Sequence, residues 1–171
     1  MLLTAVVDPD PVIIFEHALL LNVEGEVDEA IAPVDVDRAQ VRRPGKHLSL
    51  ITYGGTLPKV LQAADELASQ GIEAEVLDLR TLRPLDSAAI IESVGRTRRA
   101  VVVDEGWRSG SLSAEVITRI NEQAFYELDA PVARVCSEEV PMPYPRHLEE
   151  AVLPQVAKIV AAAQQVMGTH A

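Results

Sequence analysis

The sequence is poor in cysteine. Cys136 is the only one among 171 residues, so neither an internal disulfide nor a cysteine-based zinc site can form. It lies in the apolar stretch 132–136 and reads as a small buried hydrophobe. Positive charge is also short. Fifteen Lys and Arg face 26 Asp and Glu, for a formal net charge of -11. Such a chain repels phosphate backbones and anionic lipid, which excludes nucleic acid and membrane surfaces as partners. An acidic patch would instead attract a basic partner domain. No stretch approaches the roughly 18 apolar residues that cross a bilayer. Residues 1–7 are apolar but lack the basic flank of a signal peptide and stop at Asp8-Pro9-Asp10-Pro11. A reducing, cytoplasmic compartment is expected.

The usual marks of a self-contained active site are missing as well. His17, His47, His147 and His170 show no metal-ligand spacing, and no serine sits in a G-x-S-x-G turn. Neither the G-x-G-x-x-G nor the G-x-x-x-x-G-K-[ST] pattern occurs, so a nucleotide site is not expected.

What the chain does have is an apolar fraction of 48% and enough length for one ordinary domain. Residues 1–21 hold a short apolar helix, a turn and the β-branched run 12–15, which reads as a buried strand needing something to pack on. Because it starts at a methionine and has no packing partner, this piece is expected to be a cut edge. Residues 22–45 are acidic and rich in glycine and proline, and read as an interdomain linker.

From residue 46 the period alternates. Residues 47–53, 74–79, 100–103 and 131–136 read as strands. Helices are expected over 56–70, from an Asp86 cap to Val94 with Gly95 following, over 111–126 and over 154–167. Strands alternating with helices through short turns imply an α/β fold, a three-layer open, mostly parallel sheet with right-handed crossovers.

Ligands in such sheets bind beyond the carboxyl ends of the strands. Tyr53-Gly54-Gly55-Thr56 could hold an anion at a helix N-terminus or simply allow close strand–helix packing. Asp104 and Glu105 are adjacent on an extended segment, so their carboxylates diverge and a metal is not expected. Trp107 and Arg108 read either as interface anchors or as side chains folded over the sheet edge. Glu16-His17 is the most enzyme-like dyad, although neighbours in a strand diverge. Three arginines within 96–99 read as a solvated turn. The residues alone therefore give an α/β domain with no catalytic, cofactor or metal site.

The run DLRTLRPLD (78–86) resembles the signature of the transketolase C-terminal domain as found in β subunits of thiamine-diphosphate-dependent 2-oxo acid dehydrogenases (E1 β). The same order continues with VVVDEGW (101–107), LDAP (128–131), VPMPY (140–144), Leu148-Glu149 and LPQV (153–156). VPMPY is closer to pyruvate and acetoin dehydrogenases than to the branched-chain enzymes. DPVIIFEHALL (10–20) resembles the last strand of the preceding pyrimidine-binding domain. The resemblance therefore implies that 1–21 is a remnant of that domain, 22–45 a linker and 46–171 the transketolase C-terminal-like domain.

In this family thiamine diphosphate and Mg²⁺ lie between an E1 α subunit with a G-D-G…N motif and the β pyrimidine-binding domain. Neither that motif nor the activating glutamate's domain occurs here. The resemblance thus implies a part that is inactive alone, contacting the E1 α subunit and a second β subunit. In some members it also docks the peripheral-subunit-binding domain of the acyltransferase core. Asp129, the acidic residue of LDAP, would belong to that docking surface, or serve as a turn residue before Pro131. Two departures stand out: Asp37-Arg38-Ala39 replaces a common Gly-Lys-Ala, and 109–115 lacks two of the glycines usual before the third helix. The competing readings are a free-standing ligand-binding or regulatory module on the same fold, and a piece of another thiamine enzyme.

Overall fold

A computed structural model describes residues 1–25 and 33–168. Its centre is a five-stranded sheet: β1 (Gln40–Arg43), β2 (Leu48–Thr52), β3 (Ala74–Asp78), β4 (Ala100–Trp107) and β5 (Ala133–Ser137), in the order β1-β3-β2-β4-β5. The pairs β2/β3, β2/β4 and β4/β5 are parallel, while β1 adds to β3 antiparallel. Every residue of β2 and β3 is buried, as expected of strands covered on both faces.

Strand alternation sorts the side chains into two cores. Leu48, Leu50, Val76, Val101 and Val103 face α2 (Leu57–Ser69) and α6 (Val156–Met167), through Val60, Leu67, Ile159 and Ala163. Ile51, Leu77, Ala100 and Val102 face α3 (Ser87–Thr97) and α4 (Leu112–Ala124), through Ile90, Val94, Val116 and Ile120. A two-residue period on the strands thus meets three- and four-residue steps on the helices. The result is the expected three-layer, mostly parallel α/β architecture.

Asp86 caps α3 by accepting from Ala89 N at 3.0 Å, and its other oxygen accepts from Ala39 N at 3.0 Å. The helix does not stop at Gly95. It runs to Thr97, because the left-handed residue that ends it is Arg98, with φ 61°.

Two differences concern residues before 46. The span 22–45 contains β1, a sheet strand, rather than linker throughout. A Cβ on Gly45 would lie 2.1–2.6 Å from backbone atoms of Ala74 and Glu75, so only glycine passes this close to the neighbouring strand. The run 12–15 is not a strand, and Ile13 and Phe15 are 78% and 90% exposed. A strand needs a ladder partner, and among the described residues none reaches it. Around it stand only α1 (Leu2–Val7), which buries no residue, and a 3-10 turn over Ala18–Asn22. The short α5 (Arg146–Val152) was not expected; it buries none of its residues, so it leaves no periodic apolar signal.

Candidate functional site

In the strand order, β2 leads outward to β3 and β4 leads the other way to β5. The connections part between β2 and β4, and a crevice opens there beyond the carboxyl ends of the strands. Tyr53, Gly54 and Gly55 leave β2 at this point, beside Asp104, Glu105 and Gly106 at the end of β4.

Asp104 is fully buried. Its Oδ1 accepts from the Tyr53 hydroxyl at 2.7 Å and from Gly106 N at 2.7 Å, and its Oδ2 accepts from Ser113 N at 2.9 Å, at the start of α4. Burial pushes this carboxyl upward. The donors from Gly106, Tyr53, Ser113 and Ser111 outweigh that effect and hold it below the ordinary carboxylate range. Burial and then the bond to Asp104 raise the Tyr53 phenol well above its usual range. The pair is therefore a neutral phenol on an ionised carboxylate, and it ties β2, β4 and α4 together. Neither group carries a titration near neutral pH. Residue types alone placed Tyr53 in a candidate loop but did not pair it with Asp104 or point to Ser113, because nothing local marks a tyrosine as the partner of a carboxylate 51 residues away.

Glu105 turns the other way, as adjacent strand residues do, and meets His17 with Nε2 3.1 Å from Oε2. His17 is thus paired with Glu105 and not with its neighbour Glu16, whose side chain was expected to diverge from it. His17 Nδ1 is buried without a hydrogen-bond partner among the described residues. Gly55 sits beneath this pair. A Cβ there would lie 2.6 Å from Glu105 Oε1 and from His17 Cδ2 and Nε2. Close packing is thus a sufficient reason for the second glycine of the loop.

The three residues expected to dock partners fall at two places. Trp107 ends β4 and is 49% exposed. Arg108 follows it and reaches toward β5, with Nη1 donating to Arg134 O at 3.4 Å while Arg134 Nη1 donates to Arg108 O at 2.9 Å. Asp129 lies at the opposite end of the sheet, where its backbone N donates to Arg98 O at 2.8 Å. The length of β4, at about 3.3 Å per residue, keeps Asp129 from Trp107 by roughly 20–25 Å. Asp129 also has partners within its own chain: Arg98 Nε at 2.9 Å and Arg99 Nη2 at 3.3 Å. Arg96, for its part, binds Glu75 and Glu92, so all three arginines of 96–99 are paired rather than merely solvated.

The Mg²⁺ that accompanies thiamine diphosphate needs oxygen ligands converging on one point. Among the described residues no group of three or more His, Cys, Asp and Glu could hold a metal ion. The buried carboxylate of Asp104 is already engaged by its own chain. The described residues therefore do not fit the metal ion that accompanies the cofactor.

Comparison with known proteins agrees with this geometry. The model of the transketolase C-terminal domain family matches residues 37–159. The chain is 43% identical to the mitochondrial pyruvate dehydrogenase E1 component subunit beta of Drosophila melanogaster, over 98% of this chain and 47% of that protein. It is 41% identical to the acetoin:2,6-dichlorophenolindophenol oxidoreductase subunit beta of Cupriavidus necator, over 99% of this chain and 51% of that protein. The chain thus spans about half the length of these curated relatives, and it corresponds to their C-terminal part. A solved split-gene transketolase, described as an inactive β4 tetramer, superposes with a TM-score of 0.71 at 27% identity, covering 85% of this chain and 46% of that one. A family model spanning most of the sheet, together with this identity along nearly the whole chain, decides the kinship: the chain belongs to the transketolase C-terminal domain family, in the form carried by pyruvate and acetoin dehydrogenase β subunits.

Proposed function

We propose that this chain is the assembly and docking part of the β subunit of a thiamine-diphosphate-dependent 2-oxo acid dehydrogenase E1 of the pyruvate type. In this reading the chain is inactive by itself. The cofactor and Mg²⁺ belong to the complete enzyme, and the chain's partners are the E1 α subunit, a second β subunit and the peripheral-subunit-binding domain of the acyltransferase core. Residues 1–21 then belong to the preceding pyrimidine-binding domain.

The observation that carries the reading is the apolar surface of residues 1–23. Leu2, Val6, Val7, Ile13, Phe15, Leu19 and Leu21 are each 64–90% exposed, a concentration of large apolar side chains in one short segment that a free monomer does not ordinarily leave in water. The relative in its β4 form, described as inactive, supports the same division of labour.

Two measurements test this. Incubated with pyruvate, thiamine diphosphate, Mg²⁺ and an artificial electron acceptor, the purified chain will show no turnover; sustained turnover by this chain alone would overturn the reading. Docking at Asp129 is read by calorimetry against a peripheral-subunit-binding domain. Asp129→Ala will weaken binding by roughly tenfold or more, the usual scale for removing one member of an interfacial charge pair. Arg98→Gln frees the same carboxylate from one of its two internal partners and will strengthen binding. Equal affinities for wild type and both variants would remove Asp129 from the surface.

A further inference from the structure

The sheet has a second feature that the docking reading does not use. β5 is an edge strand, bonded to β4 on one side and to no strand on the other among the described residues. Beside it runs a groove of about 600 Å³, lined on one wall by Arg134, Cys136 and Ser137 and on the other by Ala161, Ala162 and Lys158 of α6. The two alanines keep the helix wall low, so a backbone can approach the strand.

The charge of the groove is unlike that of the molecule. The chain carries a formal -11, yet two arginines, Arg108 after β4 and Arg134 on β5, run past each other here. Each spends a donor on the other's backbone carbonyl, and neither has a carboxylate within ion-pair distance among the described residues. The acidic side chains of the groove are already engaged. Glu138 binds Lys158 at 2.6 Å, and Glu139 accepts from Ser109 N at 2.9 Å and its hydroxyl at 2.8 Å. Two arginines without a counter-ion among the described residues, next to an unpaired strand edge, form a receptor for an extended chain bearing carboxylates.

We propose that the β5 edge binds an extended acidic peptide segment of a partner protein by strand addition, with backbone bonds to β5 and a carboxylate of the segment on Arg108 and Arg134. Added as a sixth strand, the segment sends alternate side chains to opposite faces of the sheet, one set toward the α6 groove and the other onto the face of Arg134 and Cys136. Carboxylates at alternate positions therefore share the face of Arg134, while the threonine or valine between them lies toward Ala161 and Ala162. The inference does not depend on the enzyme to which the chain contributes, because the binding is a property of this chain measured by itself. The two arginines also discourage the edge from pairing with another copy, and a bare guard role predicts no peptide binding.

The test is fluorescence anisotropy of the full chain with a labelled short peptide that alternates threonine or valine with glutamate. Saturable binding is expected. It should fall by roughly tenfold or more in the Arg108→Gln/Arg134→Gln double variant, as for loss of charge-assisted bonds, and fall likewise in Ala161→Trp, which fills the groove from an exposed helix position. The same peptide with alternate backbone amides N-methylated keeps its charge but cannot add as a strand, and it will not bind. Absence of saturable binding, equal binding of the N-methylated peptide, equal binding of a lysine counterpart, or unchanged affinity in a double variant with wild-type thermal unfolding would each overturn the proposal. Should the double variant unfold, the peptide arms and Ala161→Trp still decide it.

Discussion

Arg96 reaches across α3 to Glu75 and donates to both carboxylate oxygens, at 2.9 and 2.8 Å. Glu75 is almost fully buried on β3, and it also accepts from the Ser93 hydroxyl at 2.5 Å. Ser93 in turn meets Ser49 at 2.6 Å, and Ser49 meets Thr97 at 2.7 Å, so the polar group under α3 is closed on itself. Removing the cation leaves a buried carboxylate without its partner. Arg96→Met will therefore destabilise the fold by about 1–2 kcal/mol, less than for a fully buried pair because the Arg96 side chain is 44% exposed, read as a lower urea midpoint with an unchanged slope. A loss under about 0.5 kcal/mol, the level of exposed ion pairs, would place Arg96 back among solvated charges. The sequence shows a cluster of arginines but not the strand carboxylate 21 positions earlier that one of them serves, which is why 96–99 reads as a turn until the sheet is assembled. Asp129 illustrates the same gap. The LDAP motif marks it, but Arg98 and Arg99 become its neighbours only when β4 and β5 pair.

At the scale of elements, what was legible depended on burial. β2, β3, β4, α2 and α6 carry periodic apolar residues because each packs on the cores, and that periodicity is visible without coordinates. β1 is an edge strand, exposed or half-exposed throughout, with two arginines in its four residues, so it carries no such signal. The run 12–15 fails in the opposite sense: it has strand composition but no strand beside it. Its segment is instead held at His17, where Glu105 and Gly55 receive it. This attachment rests on flexible side-chain ends rather than on backbone, so it can be broken without unfolding the sheet. Gly55→Ala will displace His17 from Glu105 while the thermal midpoint of the domain moves little. Hydrogen exchange should then rise over 17–23 and stay unchanged in β2 and β4. Uniformly faster exchange across the sheet would show that Gly55 supports the core rather than the attachment. Gly45 is the contrast, since its neighbours within 2.6 Å are all backbone atoms of Ala74 and Glu75. There an added methyl has nothing flexible to displace.

The molecule combines a core sealed on both faces of one sheet with an apolar flank that the described residues do not cover. Sealing follows from the alternation along the strands. The uncovered flank follows from residues 1–23, where α1 buries nothing and Phe15 is 90% exposed. Apolar area left in water is the main driving force for association, while the net charge of -11 opposes close approach of identical chains. Salt decides the balance, because the Debye length shrinks from about 10 Å at 0.1 M to about 3 Å at 1 M and screens the repulsion without weakening apolar contact. The isolated chain will therefore self-associate as its concentration rises, and more readily at high salt than at low. Sedimentation velocity will show a growing mean mass for wild type, and Ile13→Ser/Phe15→Ser will return it toward the monomer. If association instead weakens with salt, charge pairing rather than the apolar flank joins the copies. A chain that stays monomeric at every concentration and salt would mean that residues 1–23 fold back on their own sheet in solution, and the assembly reading would then lose the observation on which it rests.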